Sequence, residues 1–225
     1  SRPASRSFPI VAKTTGGLVL SQQRLAKKTN SVPPLADITV LLAATSVASC
    51  LCAQTLAALG AVVKHVDDLE SWYEKAAARV CQPDIVLISS DSDARAPSYA
   101  GAISAAGSVV CDVSTFGRTG PLRGGYLSEP DLQRFSSFAT YTGFPGGQAI
   151  CAPGYPIDCQ AALYAAAGVI AGLLMREVDG AGRIVDIARL DVAVNSLLPC
   201  MPAGLPGSVR TRLGIRHPPL APRHT

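Results

Sequence analysis

Asp158 is the strongest candidate for a reactive residue in this sequence, because it is a lone carboxylate at the start of a long apolar segment. We expect that segment to be a helix that stops at Asp179-Gly180-Ala181-Gly182, followed by an alternating strand, Arg183–Ile187. An acid at a helix N-terminus is stabilised as the anion by the helix dipole and the free N–H groups. Such a group becomes a nucleophile where its surroundings exclude water. The alternative is that Asp158 serves only as an N-cap.

The composition argues against a metal site, a disulfide framework and a membrane-spanning segment. Seven cysteines are scattered without C-x-x-C spacing, and the chain has only three histidines. We therefore expect no metal site, no disulfide framework and a reducing, cytoplasmic compartment. The sequence begins without the apolar stretch of a secretory signal, and the uncharged run Ala161–Met175 is shorter than the ~20 residues that span a bilayer. That run is expected to be a buried core helix.

Charge is segregated along the chain, whose formal net charge is +4. Residues 1–36 and 192–225 contain basic side chains but no acid, so all 16 acidic residues lie between them. Basic ends on an acidic body fit an acidic partner or a phosphorylated ligand. Nucleic-acid binding is not expected, because aromatic interleaving and nucleic-acid motifs are absent. We divide the chain into a basic lead-in, 1–36, an α/β domain, 37–198, and an extended Pro/Gly/Arg-rich tail, 199–225, expected to wrap a partner.

Apolar segments separated by helix-sized segments predict a Rossmann-like α/β domain with a mostly parallel sheet and flanking helices. Besides Arg183–Ile187, the predicted strands are Ile38–Ala43, Ala61–Val66, Asp84–Ser89 and Ser108–Val113. Besides the Asp158 helix, the predicted helices are Val47–Leu59, Leu69–Val80, Ala94–Ala106 and Leu132–Tyr141. The turn after the first strand, Ala44–Ser49, contains no glycine, which argues against dinucleotide binding.

Four blocks, in order, resemble the family III CoA-transferases, a group that includes formyl-CoA transferase, carnitine CoA-transferase and α-methylacyl-CoA racemase. They are the strand–helix–strand unit Pro34–Val66, the Phe-Gly-x-x-Gly-Pro turn within Val113–Pro121, the Asp158 helix with Gly180–Asp186, and Arg212–Pro218 followed by Ala221-Pro222. The resemblance implies the family's fold and its interlocked dimer, or a hetero-assembly. It also implies acyl-CoA and a small carboxylic acid as substrates, with no tightly bound cofactor because coenzyme A is itself a substrate.

The resemblance implies roles for individual residues. Asp158 takes the position of the family's nucleophile, which attacks the acyl-CoA thioester to form a mixed anhydride and then an aspartyl-CoA thioester. Glu129 takes the position of an acidic residue beside the active site. Cys159 is expected to be a small buried hydrophobe rather than a nucleophile. The predicted coenzyme A contacts lie in the first turn and around the Gly-Pro turn: Val47, Ala48, Gly117, Arg118 and Arg123.

The sequence also departs from the family pattern. Ala48-Ser49-Cys50 replaces the family's Ala-Gly-Pro, and most of the basic loop after the second strand is missing. The histidine of the racemase branch falls on Ser128, so racemisation by two bases is not expected. The chain stops before the part of the pattern that carries the family's glycine-rich loop. Three interpretations stay open: part of a larger transferase, a reduced enzyme with altered acyl-CoA chemistry, or a catalytically degenerate subunit or scaffold.

Overall fold

The computed structural model describes residues 32–66, 72, 82–91 and 96–198. Most of the basic lead-in, most of the predicted helix Leu69–Val80 and the whole tail 199–225 lie outside the described residues. The fourth family-like block, Arg212–Pro222, lies outside them as well.

The described residues contain a five-stranded parallel sheet, which confirms the predicted α/β architecture. The strands are β1, Thr39–Leu42; β2, Val62–His65; β3, Ile85–Ile88; β4, Val109–Ser114; and β5, Arg183–Ala188. They lie in the order β2-β1-β3-β4-β5, and every neighbouring pair is parallel. All residues of β3 and β4 are buried, as expected of apolar strands that are covered on both faces.

Helices cover both faces of the sheet. The described α-helices are α1, Val47–Ala58; α2, Ala96–Ala105; α3, Glu129–Phe135; α4, Pro156–Asp179; and α5, Arg189–Ser196. Helices α1 and α4 pack on one face of the sheet, and α2 packs on the other together with Trp72. The predicted helix Leu132–Tyr141 was wrong in its extent: it divides into α3 and a 3-10 helix, Phe138–Tyr141. The break is at Ser137, whose φ of 65° is left-handed.

Alternate residues of each strand belong to different core layers, because successive side chains of a strand point to opposite faces of the sheet. The layer under α1 and α4 contains Val40, Leu42, Ile85, Leu87, Val109, Cys111 and Val113. The layer under α2 contains Leu41, Val86, Ile88 and Val110. The apolar runs in the sequence are therefore explained by burial on both sides.

Helix α4 lies unusually close to the sheet. A Cβ atom on Gly168 would come within 2.7 Å of Val185 Cγ1, and one on Gly172 within 2.9 Å of Val109 Cγ1. Of the helices the structure describes, only α4 has the length and hydropathy of a membrane span, and half of that apolar stretch is buried against the rest of the protein. The two glycines let α4 run along β4 and β5, so that its N-terminus reaches the carboxyl edge of the sheet.

The carboxyl edge is where a ligand site is expected. Strand β1 lies between β2 and β3, so the strand order reverses its direction beside β1. In parallel sheets, such a reversal leaves a crevice at the carboxyl ends of the strands. Helix α1 begins beside this crevice after a short turn, and its N-cap Ser46 accepts a hydrogen bond from the Ser49 N–H. Helix α5 follows β5 directly.

Replacing Gly182 by alanine is expected to destabilise the protein by about 1–3 kcal/mol, because the new Cβ would overpack against backbone that cannot rotate away. Gly182 leads into β5, and its Cβ would collide with the Ser104 carbonyl oxygen and lie 2.5 Å from the Ser108 carbonyl oxygen. The matched control is Gly101→Ala within α2, where no atom lies within 4 Å of the new Cβ. That control should be neutral or stabilising by about 0.5–1 kcal/mol. Equal free energies of unfolding in urea for the two variants would contradict the close approach.

Candidate active site

A cleft of about 310 Å³ opens at the carboxyl edge of the sheet. Its lining comes from the segments that follow β1, β3 and β5 and from the N-terminal ends of α3 and α4. The rim includes Tyr126 and Tyr155, whose side chains are exposed. The lining residues are Thr45, Ser46, Val47, Asp91, Tyr126, Glu129, Tyr155, Asp158 and Arg189.

Asp158 is buried within this cleft in the first turn of α4. The N-cap of α4 is Tyr155, with Pro156 in the first helical position, so the interpretation of Asp158 as an N-cap is wrong. Asp158 is 4% exposed. Its Oδ1 forms an ion pair with Arg189, whose Nε lies 2.6 Å away.

Arg189 is the cation at the centre of the site. It is the first residue of α5 and only 5% exposed. Its Nη2 donates to Glu129 Oε2 at 3.4 Å. Its Nη1 donates to Thr115 Oγ1 and to the Leu127 carbonyl oxygen, both at 3.3 Å. One guanidinium thus lies between two buried carboxylates and is tied to the end of β4.

Glu129 holds two of these elements together. Its Oε1 accepts from the backbone N–H of Ile157 at 2.9 Å and from Gln133 Nε2 at 3.3 Å. The Ile157 N–H is one of the free donors in the first turn of α4, where Tyr155 provides no side-chain cap. Glu129 therefore caps the helix that carries Asp158 and, through its other oxygen, fixes Arg189.

Asp91 supplies a third carboxylate to the cleft. Its Oδ2 accepts from the Thr115 backbone N–H at 2.7 Å and from Thr115 Oγ1 at 2.6 Å. Thr115 thereby links Asp91 to Arg189, because the same hydroxyl donates to one and accepts from the other. Asp91 Oδ1 is buried without a hydrogen-bond partner among the described residues.

The environment of Asp158 raises its pKa to about 6. Burial is the largest cause, because it removes water from the anion, and the negative charges of Glu129 and Asp91 act in the same direction. The cation of Arg189 opposes them. Asp158 is consequently ionised at neutral pH while it remains poorly solvated.

The residues predicted to bind coenzyme A are divided between the cleft and its surroundings. Val47 lines the cleft, and Ala48 is buried one residue further along α1. Gly117, Arg118 and Arg123 follow β4 and lie outside the lining of this cleft. Whether they contact coenzyme A stays a prediction.

Arg118 is held on the other side of β4. Its Nη1 lies 3.6 Å from Oδ2 of the buried Asp112, and its Nη2 donates to the Pro97 carbonyl oxygen at 3.2 Å. Asp112 also accepts from the backbone N–H and hydroxyl of Ser90. The Arg118 side chain therefore fastens the Gly-Pro turn to β4 and α2. Arg123 is exposed.

Sequence reasoning missed several residues of the site, above all Arg189. The available signal was its position directly after an alternating strand, since side chains at the carboxyl ends of parallel strands meet at one edge. The prediction that Cys159 is buried was wrong, because its side chain is exposed on α4. Within the described ranges there is no group of three or more metal-ligating side chains. The other missed lining residues are Thr45, Ser46, Asp91, Tyr126 and Tyr155.

Comparison with known proteins identifies the family. The sequence model of CoA-transferase family III matches residues 108–225, which is more than half of the chain. The protein therefore belongs to CoA-transferase family III, as its four sequence blocks predicted.

Two curated relatives are CoA-transferases by name. A succinate–glutarate CoA-transferase of Agrobacterium fabrum is 30% identical over 118 residues, which cover 51% of this chain and 29% of that protein. The alpha subunit of a succinyl-CoA–L-malate CoA-transferase of Chloroflexus aurantiacus is 31% identical over 110 residues, which cover 48% of this chain and 26% of the relative. The matched segments thus span less than a third of either relative.

Solved structures share the fold. A CaiB/BaiF family protein from Brucella suis superposes with a TM-score of 0.72 at 21% identity, covering 85% of this chain and 63% of that one. A hypothetical protein from Mycobacterium tuberculosis gives a TM-score of 0.65 at 20% identity, with 76% and 59% covered.

Asp158→Asn is expected to stabilise the fold at pH 8 by on the order of 3 kcal/mol, because the ionised carboxylate is disfavoured by burial and one pKa unit corresponds to about 1.4 kcal/mol. The pKa of about 6 in the folded protein lies above the ordinary aspartate value of 3.8. The carboxyl therefore contributes stability below pH 4 and loses it as the pH rises through 6, so the advantage of the variant should disappear towards pH 4. Denaturant unfolding across this pH range measures the difference, with the exposed Asp37→Asn as control. A difference that does not vary with pH would contradict the raised pKa.

Proposed function

We propose that this protein transfers coenzyme A between an acyl-CoA and a carboxylic acid, through covalent intermediates on Asp158. The observation that carries the proposal is the buried Asp158 carboxylate at the N-terminus of α4, paired with Arg189 inside a cleft at the carboxyl edge of the sheet. Membership of CoA-transferase family III supports it. The named activities of the two curated relatives support it as well.

The proposed chemistry has two balanced stages. The Asp158 carboxylate attacks the thioester carbonyl, a C–O bond forms, the C–S bond breaks, and coenzyme A leaves as the thiolate beside a mixed anhydride. The thiolate then attacks the aspartyl carbonyl of the anhydride, which yields an aspartyl-CoA thioester and releases the donor acid as a carboxylate. The acceptor carboxylate then attacks the aspartyl-CoA carbonyl, which expels the thiolate and forms a second mixed anhydride. The thiolate attacks the acyl carbonyl of that anhydride, which yields the new acyl-CoA and regenerates the Asp158 anion.

The geometry supports this role for Asp158. Oδ1 is the oxygen buried against Arg189, so we assign the attack on the thioester to Oδ2. Burial strips water from the anion, while the guanidinium and the N-terminal dipole of α4 keep it ionised. A carboxylate that is ionised and dry is a stronger nucleophile than one in water.

We further propose that the chain works within a larger cytoplasmic assembly. It spans only part of the length of its relatives, and the relative from Chloroflexus is named as an alpha subunit. The segment 199–225 carries arginines and no acid, which suits an acidic partner surface.

A second candidate function is that of a structural subunit without catalysis. It is favoured by Arg118, which is engaged with Asp112 and Pro97 instead of standing free at the cleft for a phosphate group. Retention of coenzyme A separates the two functions, since a purely structural subunit needs no affinity for it.

Trapping with hydroxylamine tests the transferase. Incubation of the wild type with succinyl-CoA followed by hydroxylamine should convert Asp158 into its hydroxamate, detected by peptide mass spectrometry, because amines cleave both the anhydride and the thioester. The Asp158→Asn variant should give no such product. Cys159→Ser is the matched control, since its exposed thiol is the adjacent alternative acceptor, and it should react as the wild type does. A label on Cys159 alone, or no label together with no retained coenzyme A, would overturn the proposed function.

A further inference from the structure

The buried Arg189 guanidinium is paired with two carboxylates through different nitrogens. Nε lies 2.6 Å from Asp158 Oδ1, and Nη2 donates to Glu129 Oε2 at 3.4 Å. Nη1 donates to Thr115 Oγ1 and to the Leu127 carbonyl oxygen. Arg189 is only 5% exposed, so the loss of the Asp158 charge would leave a buried cationic donor without its anion, which costs free energy unless another anion takes that place.

The charges around Arg189 change during the proposed reaction. In the resting protein three carboxylates, on Asp91, Glu129 and Asp158, line the cleft together with one guanidinium. Their excess negative charge repels an added carboxylate, although the N-termini of α1 and α4 offset part of it. Once Asp158 is an anhydride or a thioester it is neutral, and Arg189 has lost one of its two anionic partners.

We propose that Arg189 is a carboxylate-binding residue of the cleft, which pairs with Asp158 in the resting state and with the carboxylate of the acid substrate when Asp158 is neutral. This inference rests on the proposed function and extends it to the acid substrate. Glu129 keeps the guanidinium in place throughout, because it holds Nη2 and the N-terminus of α4 at once. Two carboxylates then lie next to Arg189 in the resting protein and in the aspartyl-CoA state with bound acid, whereas at each mixed anhydride only Glu129 remains and the coenzyme A thiolate carries the other negative charge.

The arrangement also sets the order of binding. The acid is admitted only after the acyl-CoA has converted Asp158 into a neutral derivative, because before that step Arg189 is already neutralised. A free acid therefore does not compete with acyl-CoA for the resting protein.

Titration of succinate into variants tests this assignment without any turnover. Asp158→Asn copies the neutral state of the site, and we expect it to bind succinate about 10- to 100-fold more tightly than the wild type at pH 8, the gain of one charge-assisted hydrogen bond. Isothermal titration calorimetry measures the affinities. The neutral succinamide should not distinguish the two proteins.

Removal of the guanidinium provides the decisive comparison. Arg189→Met in the Asp158→Asn background should abolish the gain, whereas Arg134→Met, which removes an exposed arginine of α3, should preserve it. Because Arg189→Met leaves the buried Glu129 carboxylate without its cation, a further variant adds Glu129→Gln to remove that charge, and circular dichroism verifies its fold. A gain that survives in this folded variant would overturn the proposal, as would equal succinate affinity of the wild type and Asp158→Asn.

The outcome is separable from that of the proposed function. A hydroxamate on Asp158 without Arg189-dependent succinate binding would leave the transferase in place and refute the role of Arg189. Arg189-dependent binding without a hydroxamate would establish the carboxylate site in a protein that does not catalyse the transfer.

Discussion

The ion pairing of Arg189 with Asp158 and Glu129 is the interaction on which the carboxyl edge of the sheet depends. The three residues come from three helices, and all are nearly inaccessible to solvent. Removing Arg189 would leave two buried carboxylates without their cation, and loss of the compensating charge from a buried ion pair typically costs about 3–5 kcal/mol. The positions of α3, α4 and α5 are therefore mutually dependent, and the same three helices share one apolar cluster through Leu132, Ile157 and Ala193.

The sheet determines where these helices can meet. Gly168 and Gly172 let α4 approach β4 and β5, so that the helix start is held at the strand ends. Glu129 then caps that start from α3, and Thr115 ties Arg189 to the end of β4. Apolar packing thus positions the polar cluster, while the cluster fixes the orientation of the shorter helices.

The buried carboxylates of this cluster reduce the stability of the folded protein at neutral pH. A carboxylate whose pKa is raised to about 6 by burial is ionised at neutral pH against the preference of its surroundings. Strain of this kind is common where activity requires a poorly solvated charged group. In this protein the cost is limited by Arg189, whose charge is shared between two carboxylates, one on each of two helices.

The sequence by itself determined the parallel α/β layout, the long helix behind Asp158 and the family, because these depend on local periodicity and short motifs. It placed Asp158 and Glu129 near one another only through the family resemblance. Tertiary structure alone decided that Arg189 lies between them and that Arg118 turns to Asp112. The physical reason is that strand and helix patterns repeat over a few residues, whereas Arg189 and Glu129 are 60 residues apart along the chain. No local pattern records such a contact, since it exists only when parallel strands bring their carboxyl ends to a common edge.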